Sequence, residues 1–250
     1  MPIYTRSACA IALLVALTTA ARASSFTVNP IRIDLDAASK TGLLTVRNDG
    51  SQPLRIQITA FAWSQSASGE VQLAASKDVV AFPTLVEIAP GAEKKIRVGV
   101  KTAPALVEKT YRVFVEELPG LQTPGTTTEV RVLTKFGVPI FVAPTKIARD
   151  VRVGRLAIAG GRLAFGVENA GTVSAIVKTV KISAVGENRD VLYAHEESGW
   201  YVIGGSARTY AFELPVERCA QTAKLTIEVV TDQGAPITSA LAMPAGGCRR

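Results

Sequence analysis

The side chains best suited to nucleophilic, acid–base or metal chemistry are scarce in this chain of 250 residues. It contains one histidine, His195, which lies in the polar stretch Tyr193-Ala-His-Glu-Glu197, and three cysteines. The sequence has no G-x-S-x-G, P-loop or G-x-G-x-x-G motif. Zinc sites and Ser-His-Asp catalysts need more ligands or partners than these residues provide. The sequence therefore predicts neither an enzyme nor a metal or cofactor site.

The first 23 residues have the pattern of a secretory signal peptide. An early positive charge, Arg6, precedes an apolar run over residues 8–20, and the segment closes with the A-x-A site Ala21-Arg-Ala23. A membrane anchor is the less favoured alternative, because the apolar run is short for a bilayer span. We therefore expect an exported, soluble protein that begins near Ser24. Loss of Arg6 and Arg22 lowers the formal net charge from +7 to +5.

Export also determines how the cysteines are interpreted. Cys9 would leave with the signal peptide, so Cys219 and Cys248 would be the two cysteines of the mature chain. Two cysteines in an oxidising compartment predict one disulfide.

Apolar residues recur mainly at period two in short runs separated by turn residues, and no long helical pattern occurs. The second half repeats the first in outline: Val46-x-Asn48-x-Gly50 is echoed by Val167-x-Asn169-x-Gly171, and a strand led by Gly91 is echoed by one led by Gly205. This pattern predicts an all-β chain of two β-sandwiches with about seven strands each, over residues 24–144 and 145–250.

Neither the charges nor the aromatic residues suggest a nucleic-acid site. The positive charges are scattered along the predicted strands, so the basic stripe expected of a nucleic-acid-binding protein is missing. Trp63, Trp200 and Tyr201 are interpreted as core or rim residues instead of a stacking platform for bases or sugars.

The run Val130–Val142 is the longest strand-like segment and is unusually apolar on both faces. One interpretation is a central strand buried on both sides. The other is an edge strand that pairs with the sheet of another protein, since an exposed apolar edge otherwise promotes aggregation. The sequence pattern alone leaves both interpretations open.

The chain resembles the periplasmic chaperones of the chaperone–usher pilus pathway, a PapD-like family, and in particular their archaic-type branch. The matching segments, which run through the mature chain in order, are residues 28–33, 44–50, 60–63, 82–83, 88–91, 96–98, 111–119 and 134–144. This resemblance implies two immunoglobulin-like domains in an L-shaped arrangement, with pilus subunits and an outer-membrane usher as partners in the periplasm.

The resemblance further implies donor-strand complementation, in which the chaperone lends a strand to a subunit whose own sandwich lacks one. The lent strand would be about Glu129–Phe136, and the side chains entering the groove of the subunit would be Val130, Val132, Thr134 and Phe136. A free chaperone could shield such a strand by self-association or by the ordering of a loop.

Family members also hold the C-terminal carboxylate of the subunit with two basic residues. Arg32 matches the first, whereas an ungapped match puts Pro139 at the second, so Lys135 is the nearest basic candidate. An interdomain ion-pair set of the family maps in part onto Arg97, Glu117 and Asp232, with Ala143 at a position where arginine is usual.

Two other functions compete with this interpretation. A pilus subunit or adhesin would carry a free N-terminal extension and an incomplete sandwich. A carbohydrate-binding module would need a sugar-stacking constellation of aromatic residues, which the sequence does not show.

Overall fold

A computed structural model describes residues 26–66, 68–119 and 132–248. The predicted signal peptide, Val130 and the N-terminal part of the predicted lent strand lie outside the described residues. The described chain is nearly all β, with one short helix, α1 (Val216–Gln221), so the predicted fold class is confirmed. No helix in these described ranges is long and apolar enough to cross a membrane.

The first sandwich is formed by the strands that precede residue 143. They are β1 (Phe26–Asn29), β2 (Ile33–Leu35), β3 (Thr41–Asn48), β4 (Leu54–Gln65), β5 (Val71–Ala75), β6 (Val79–Phe82), β7 (Leu85–Ile88), β8 (Glu93–Val100), β9 (Lys109–Glu117) and β10 (Lys135–Val142). One sheet has the order β1-β3-β8-β6, and the other has the order β2-β10-β9-β4-β5, with β7 also paired to β4.

The second sandwich is built from the remaining strands in the same two-layer manner. They are β11 (Val151–Val153), β12 (Ala157–Ala159), β13 (Arg162–Asn169), β14 (Ala175–Val185), β15 (Val191–Ser198), β16 (Tyr201–Val202), β17 (Ala207–Glu213), β18 (Lys224–Thr231) and β19 (Ile237–Ala242). One sheet pairs β11, β12 and β17 with β13, and the other has the order β15-β14-β18-β19, with β16 also paired to β14.

Each sandwich has its own apolar core because side chains alternate between the two faces of a strand. On β8, Ile96 and Val98 are fully buried, whereas Arg97 between them is exposed. Separate clusters of buried side chains fill the two sandwiches, the first around Leu44 and Ile56 and the second around Leu163 and Ile227. Burying each such side chain contributes about 1.5–3 kcal/mol.

The internal repeat predicted from the sequence is confirmed by its hydrogen bonds. The Asn48 side chain donates to the carbonyls of Gln52 and Ile88 and accepts from the N–H of Gly50. The Asn169 side chain likewise donates to the carbonyls of Val173 and Val202 and accepts from the N–H of Gly171. Gly91 and Gly205, with φ of 71° and 75°, donate their N–H groups to the carbonyls of the same two asparagines. We call this arrangement the asparagine corner.

The strands are more numerous and shorter than the sequence suggested. The opening strand divides at Pro30, which has no N–H for the ladder, so β1 and β2 join different sheets. Within the described part of the run Val130–Val142, regular strand begins at Lys135. The longest of the described strands is instead β4, whose two halves pair with β7 and β5.

The predicted disulfide is present between Cys219 of α1 and Cys248, which follows β19. The two Cα atoms are 5.7 Å apart, and the cysteines lie 29 positions apart in sequence. The bridge lies within the second sandwich, where Cys219 is part of the buried core.

Reduction of Cys219–Cys248 is expected to lower the free energy of unfolding of the second sandwich by about 3–4 kcal/mol, since the disulfide restricts the unfolded chain. Urea unfolding of the full chain with and without a reductant measures this change. A Cys219→Ala, Cys248→Ala double variant is the control and should be insensitive to the reductant. Equal stability of the oxidised chain and of the chemically verified dithiol form would contradict the prediction.

Candidate functional site

Strand β10 is paired on both sides along only part of its length. It pairs antiparallel with β9 from Lys135 to Val142, but β2 covers its other side, in parallel, only from Ile140 to Val142. Residues 135–139 therefore present a strand edge that no described strand covers, and we call them the open edge. Unpaired N–H and C=O groups on such an edge can pair with another chain. The interpretation as a central strand thus applies to residues 140–142, and the interpretation as an edge strand applies to residues 135–139.

The inward-facing side chains of β10 leave the core as the strand is followed toward its N-terminal end. Val138, Ile140 and Val142 are buried, whereas Phe136 is 37% exposed and Val132, ahead of the strand, is 73% exposed. An extended continuation of β10 places Thr134 and Val132 in this same row, because alternate residues share a face. Three of the four predicted groove-filling side chains therefore lie at an accessible flank, and the fourth, Val130, is outside the described residues.

Arg32 lies where the open edge ends. It immediately precedes the Ile33–Ile140 pair, so the register places it beside Pro139. Its Nε is 2.9 Å from each carboxylate oxygen of Asp34 and its Nη2 is 2.7 Å from one of them, and Cζ lies 4.2 Å from the centre of the Phe141 ring. Burial lowers the pKa of the guanidinium, but hydrogen bonds and the charge of Asp34 outweigh burial and raise that pKa above its ordinary value.

Arg112 approaches the same place from the other neighbour of β10. It is paired with Pro139 in the β9–β10 register, and its Cζ lies 4.4 Å from the centre of the Trp63 ring. Its Nε is buried without a hydrogen-bond partner, and burial lowers the pKa of its guanidinium, which nevertheless stays charged as arginine does in proteins. Sequence reasoning missed Arg112, because a charge on a strand has no sequence feature that distinguishes it from a solvated one.

Three aromatic rings form the surface on which this arginine pair lies. The ring centres are 5.7 Å apart for Trp63 and Phe141, 5.6 Å for Trp63 and Tyr201, and 5.3 Å for Phe141 and Tyr201. Tyr201 belongs to the second sandwich, so both domains build the site. Rings below the guanidinium planes favour and orient the cations.

Side chains of the first sandwich bind the backbone of the second beside the arginine pair. Gln65 donates to the carbonyl of Tyr201 (2.7 Å) and accepts from the N–H of Ile203 (2.9 Å). Glu108 accepts from the N–H of Ser174 (2.8 Å), and its own N–H donates to the carbonyl of Thr172 (2.8 Å). We call this contact the interdomain seam. Burial raises the pKa of the Glu108 carboxyl, although its bonds to Ser174 and the charge of Arg32 oppose the rise.

The structure does not bring Lys135 next to Arg32. Its ammonium forms an ion pair with Glu116 at 2.9 Å and lies 4.8 Å from the centre of the Phe114 ring. Phe141, on whose ring Arg32 lies, is six positions further along the strand, which corresponds to about 20 Å. Lys135 as the second carboxylate anchor therefore stays a prediction from family resemblance alone.

The predicted interdomain ion-pair set is not brought together either. Arg97 is exposed on the outer face of the β1-β3-β8-β6 sheet, whereas Glu117 faces the core from the opposite sheet and is 2% exposed. Asp232 accepts from the N–H of Ile176 within the second sandwich. Arg97 and Glu117 lie on different sheets, so this ion-pair set stays a prediction from family resemblance, while Gln65 and Glu108 are among the described side chains that link the domains.

His195 shows no catalytic arrangement in the described part of the chain. Its Nε2 is 3.8 Å from Glu197, and its ring lies against Phe212 at the edge of the second core. No group of three or more His, Cys, Asp or Glu side chains among the described residues is placed to hold a metal ion.

Comparison with protein families identifies the first sandwich. Residues 25–148 match the family model described as "Pili and flagellar-assembly chaperone, PapD N-terminal domain". Through this domain the chain belongs to the family of pilus-assembly chaperones, as its sequence segments predicted. A comparison with curated proteins gives no match.

Solved structures of pilus chaperones share the whole two-domain fold. A chain of the CsuC–CsuE chaperone–tip adhesion subunit complex, from archaic Csu pili of Acinetobacter baumannii, is 18% identical with a TM-score of 0.61, over 87% of this chain and 98% of that one. The Escherichia coli chaperone DraB is 21% identical with a TM-score of 0.54, and the match covers 90% of this chain and 100% of DraB. A chain of the Salmonella enterica SafA pilin–SafB chaperone complex is 17% identical with a TM-score of 0.56, and the match covers 89% of this chain and 99% of that one.

Glu108→Gln is expected to flatten the pH dependence of stability. Because the folded pKa of Glu108 is raised above 4.5, the native state holds this proton more tightly than the unfolded chain. Its contribution to the free energy of unfolding therefore falls as pH rises from about 4.5 through the raised pKa. Glutamine keeps an acceptor for the N–H of Ser174 without the buried charge, so the variant should lose this decline.

Urea unfolding across a series of pH values from 4 to 7 measures the slope for each protein. The exposed Glu217→Gln variant is the control and should keep the slope of the unmodified chain. An unchanged slope in Glu108→Gln would show that this carboxyl does not carry the effect.

Proposed function

We propose that this protein is a periplasmic chaperone that captures pilus subunits on the open edge of β10 and delivers them to an outer-membrane usher. One observation carries the capture step: the open edge runs directly to a pair of arginines at Pro139. Arg112 is paired with Pro139 on β9, and Arg32 immediately precedes β2. Family membership supports the chaperone role in general. We further propose that capture proceeds by a donor strand, that an usher receives the subunits and that the protein acts in the periplasm.

The geometry of the edge selects the direction of the guest strand. A guest strand could pair with residues 135–139 on the same side of β10 that β2 covers further along. If it runs parallel to β10, as β2 does, its C-terminal carboxylate lies at Arg32. An antiparallel guest would bring its amino end to the two guanidinium groups and be repelled. Main-chain hydrogen bonds to the edge supply general adhesion, and alternate side chains supply the fit.

Side chains of the accessible flank would fill the groove of the subunit. Val132 and Phe136 lie in the row that leaves the core, and Thr134 lies between them. Full burial of Val132 and Phe136 would contribute about 1.5–3 kcal/mol each before the costs of association. This gain suits a chaperone that holds a subunit and later releases it.

The arginine pair fits a single carboxylate from the guest. Asp34 binds the Nε side of Arg32, so the Nη1–Nη2 side faces away from it and can take a second carboxylate in a bidentate manner. Arg112 forms no ion pair with any described residue, and its buried Nε lacks an acceptor. A guest carboxylate between the two guanidinium groups would supply that missing negative charge.

The delivery step has a surface of its own on the outer face of the first sandwich. Leu43, Arg97 and Phe82 lie side by side across β3, β8 and β6 in the strand register. The two apolar side chains are exposed, and Arg97 forms no ion pair within the described chain. An apolar row around an unpaired cation suits a partner segment with acidic and apolar side chains, and we assign it to the usher.

Val132→Asp is expected to reduce subunit capture at least tenfold, because a carboxylate would be buried in an apolar groove without a partner. The exposed position predicts a normal free energy of unfolding for the free chaperone. The measurement is the amount of pilus subunit that copurifies with the tagged chaperone after export of both proteins.

Val191→Asp is the matched control, since Val191 is 64% exposed on the edge strand β15 of the second sandwich. Capture by Val132→Asp equal to that of this control would contradict the use of the open edge. Unfolding of the Val132→Asp variant would show that this segment belongs to the chaperone's own core.

Arg32→Gln and Arg112→Gln are each expected to lower the affinity for the subunit at least tenfold, because each removes a charge-assisted bond to the guest carboxylate. Arg152→Gln is the control, since Arg152 is an exposed arginine whose Nε is 2.7 Å from Asp150, much as Arg32 binds Asp34. Affinity is measured by titration with a purified subunit. Loss of binding in Lys135→Gln but not in Arg112→Gln would make Lys135 the second anchor.

A further inference from the structure

Tyr201 brings the second domain to the arginine pair. It begins β16, and its ring is in contact with Phe141 and Trp63 of the first sandwich. The backbone around it is bound by Gln65 through the carbonyl of Tyr201 and the N–H of Ile203. The position of this ring is therefore determined by the interdomain seam.

The ring of Tyr201 lies beside both cations. Its centre is 5.8 Å from Cζ of Arg32, and it is in contact with the Trp63 ring on which Arg112 lies. Burial acts to lower the pKa of both guanidinium groups, and the phenol of Tyr201 acts in the opposite direction on each of them. A tyrosine hydroxyl has one hydrogen to donate, and arginine accepts none, so this hydrogen needs another acceptor. A carboxylate bound by the two arginines would provide an acceptor next to it.

We propose that the Tyr201 hydroxyl is a third donor in the carboxylate site, so that capture by the first domain depends on the position of the second. This inference rests on the proposed function and adds a domain-spanning specificity residue to it. Two guanidinium groups attract any anion, whereas a neutral donor at a fixed place favours the planar carboxylate that can accept from all three groups. A displaced second domain would weaken the hold on the carboxylate while leaving the open edge unchanged.

The experiment uses the full chain and two synthetic probes. One is an acetylated heptapeptide of alternating valine and threonine with a free C-terminal carboxylate, and the other is the same peptide ending in a carboxamide. Isothermal titration calorimetry gives both dissociation constants for the unmodified chain and for Tyr201→Phe, which loses only the hydroxyl. Tyr193→Phe, a tyrosine variant remote from the arginine pair, is the matched control.

Tyr201→Phe is expected to weaken binding of the acid peptide about tenfold or more, as loss of a hydrogen bond to a charged group does, with the amide peptide unaffected. Tyr193→Phe should retain the unmodified ratio. Gln65→Ala, which releases the backbone of Tyr201, should lower the preference for the acid in the same direction.

Different failures are distinguishable. If the unmodified chain prefers the acid through Arg32 and Tyr201→Phe keeps that preference, the role of Tyr201 is refuted while carboxylate capture stands. Equal loss for both peptides in Tyr201→Phe would reduce Tyr201 to a packing residue. If the unmodified chain binds both peptides equally or neither, carboxylate capture fails together with this inference.

Discussion

Strand β10 is held from both sides along its last three residues and from one side along the five before them. The rest of the site depends on this unequal pairing. The end held from both sides, with Ile140 and Val142 in the core, fixes the strand within its own domain. Because β9 supports the whole length, the uncovered part keeps strand geometry without a second neighbour. An edge prepared in this way can bind a guest without the entropy cost of ordering a loop.

The arginine pair marks the point where pairing changes from two-sided to one-sided. Arg32 lies just ahead of β2, which covers residues 140–142, and Arg112 lies on β9, which covers residues 135–142, so the register brings both to Pro139. Aromatic rings from both sandwiches then orient the guanidinium groups. In the proposed function, adhesion along the edge would come from the main chain, and recognition at its end would come from the fixed charges.

The sequence predicted what depends on local periodicity, and missed what depends on register. Alternation of apolar residues, the repeated Asn-x-Gly turns and the two late cysteines were sufficient for the sandwiches, the asparagine corners and the disulfide. Arg112 could not be found in this way, because only the β9–β10 pairing places it opposite Pro139. Tyr201 contacts residues that are far from it in the chain, and no short-range pattern reports such a contact. The ion-pair set stays a prediction from the family resemblance, since the parity of β8 turns Arg97 outward while the parity of β9 turns Glu117 inward.

The asparagine corner has different surroundings in the two sandwiches. In the second, Glu108 binds the loop after Asn169: the N–H of Ser174 donates to the Glu108 carboxylate, and the carbonyl of Thr172 accepts from the N–H of Glu108. A Cβ on Gly171 of this loop would come within 2.5 Å of the Ala148 carbonyl in the segment that connects the domains. In the first, the equivalent loop after Asn48 lies at the surface, with Ser51 and Gln52 exposed. The same corner thus occurs in both sandwiches, but only the loop of the second one is bonded to the other domain through Glu108. A protein engineer could append a further sandwich ahead of the first through the same joint and so extend the chain into a tandem array.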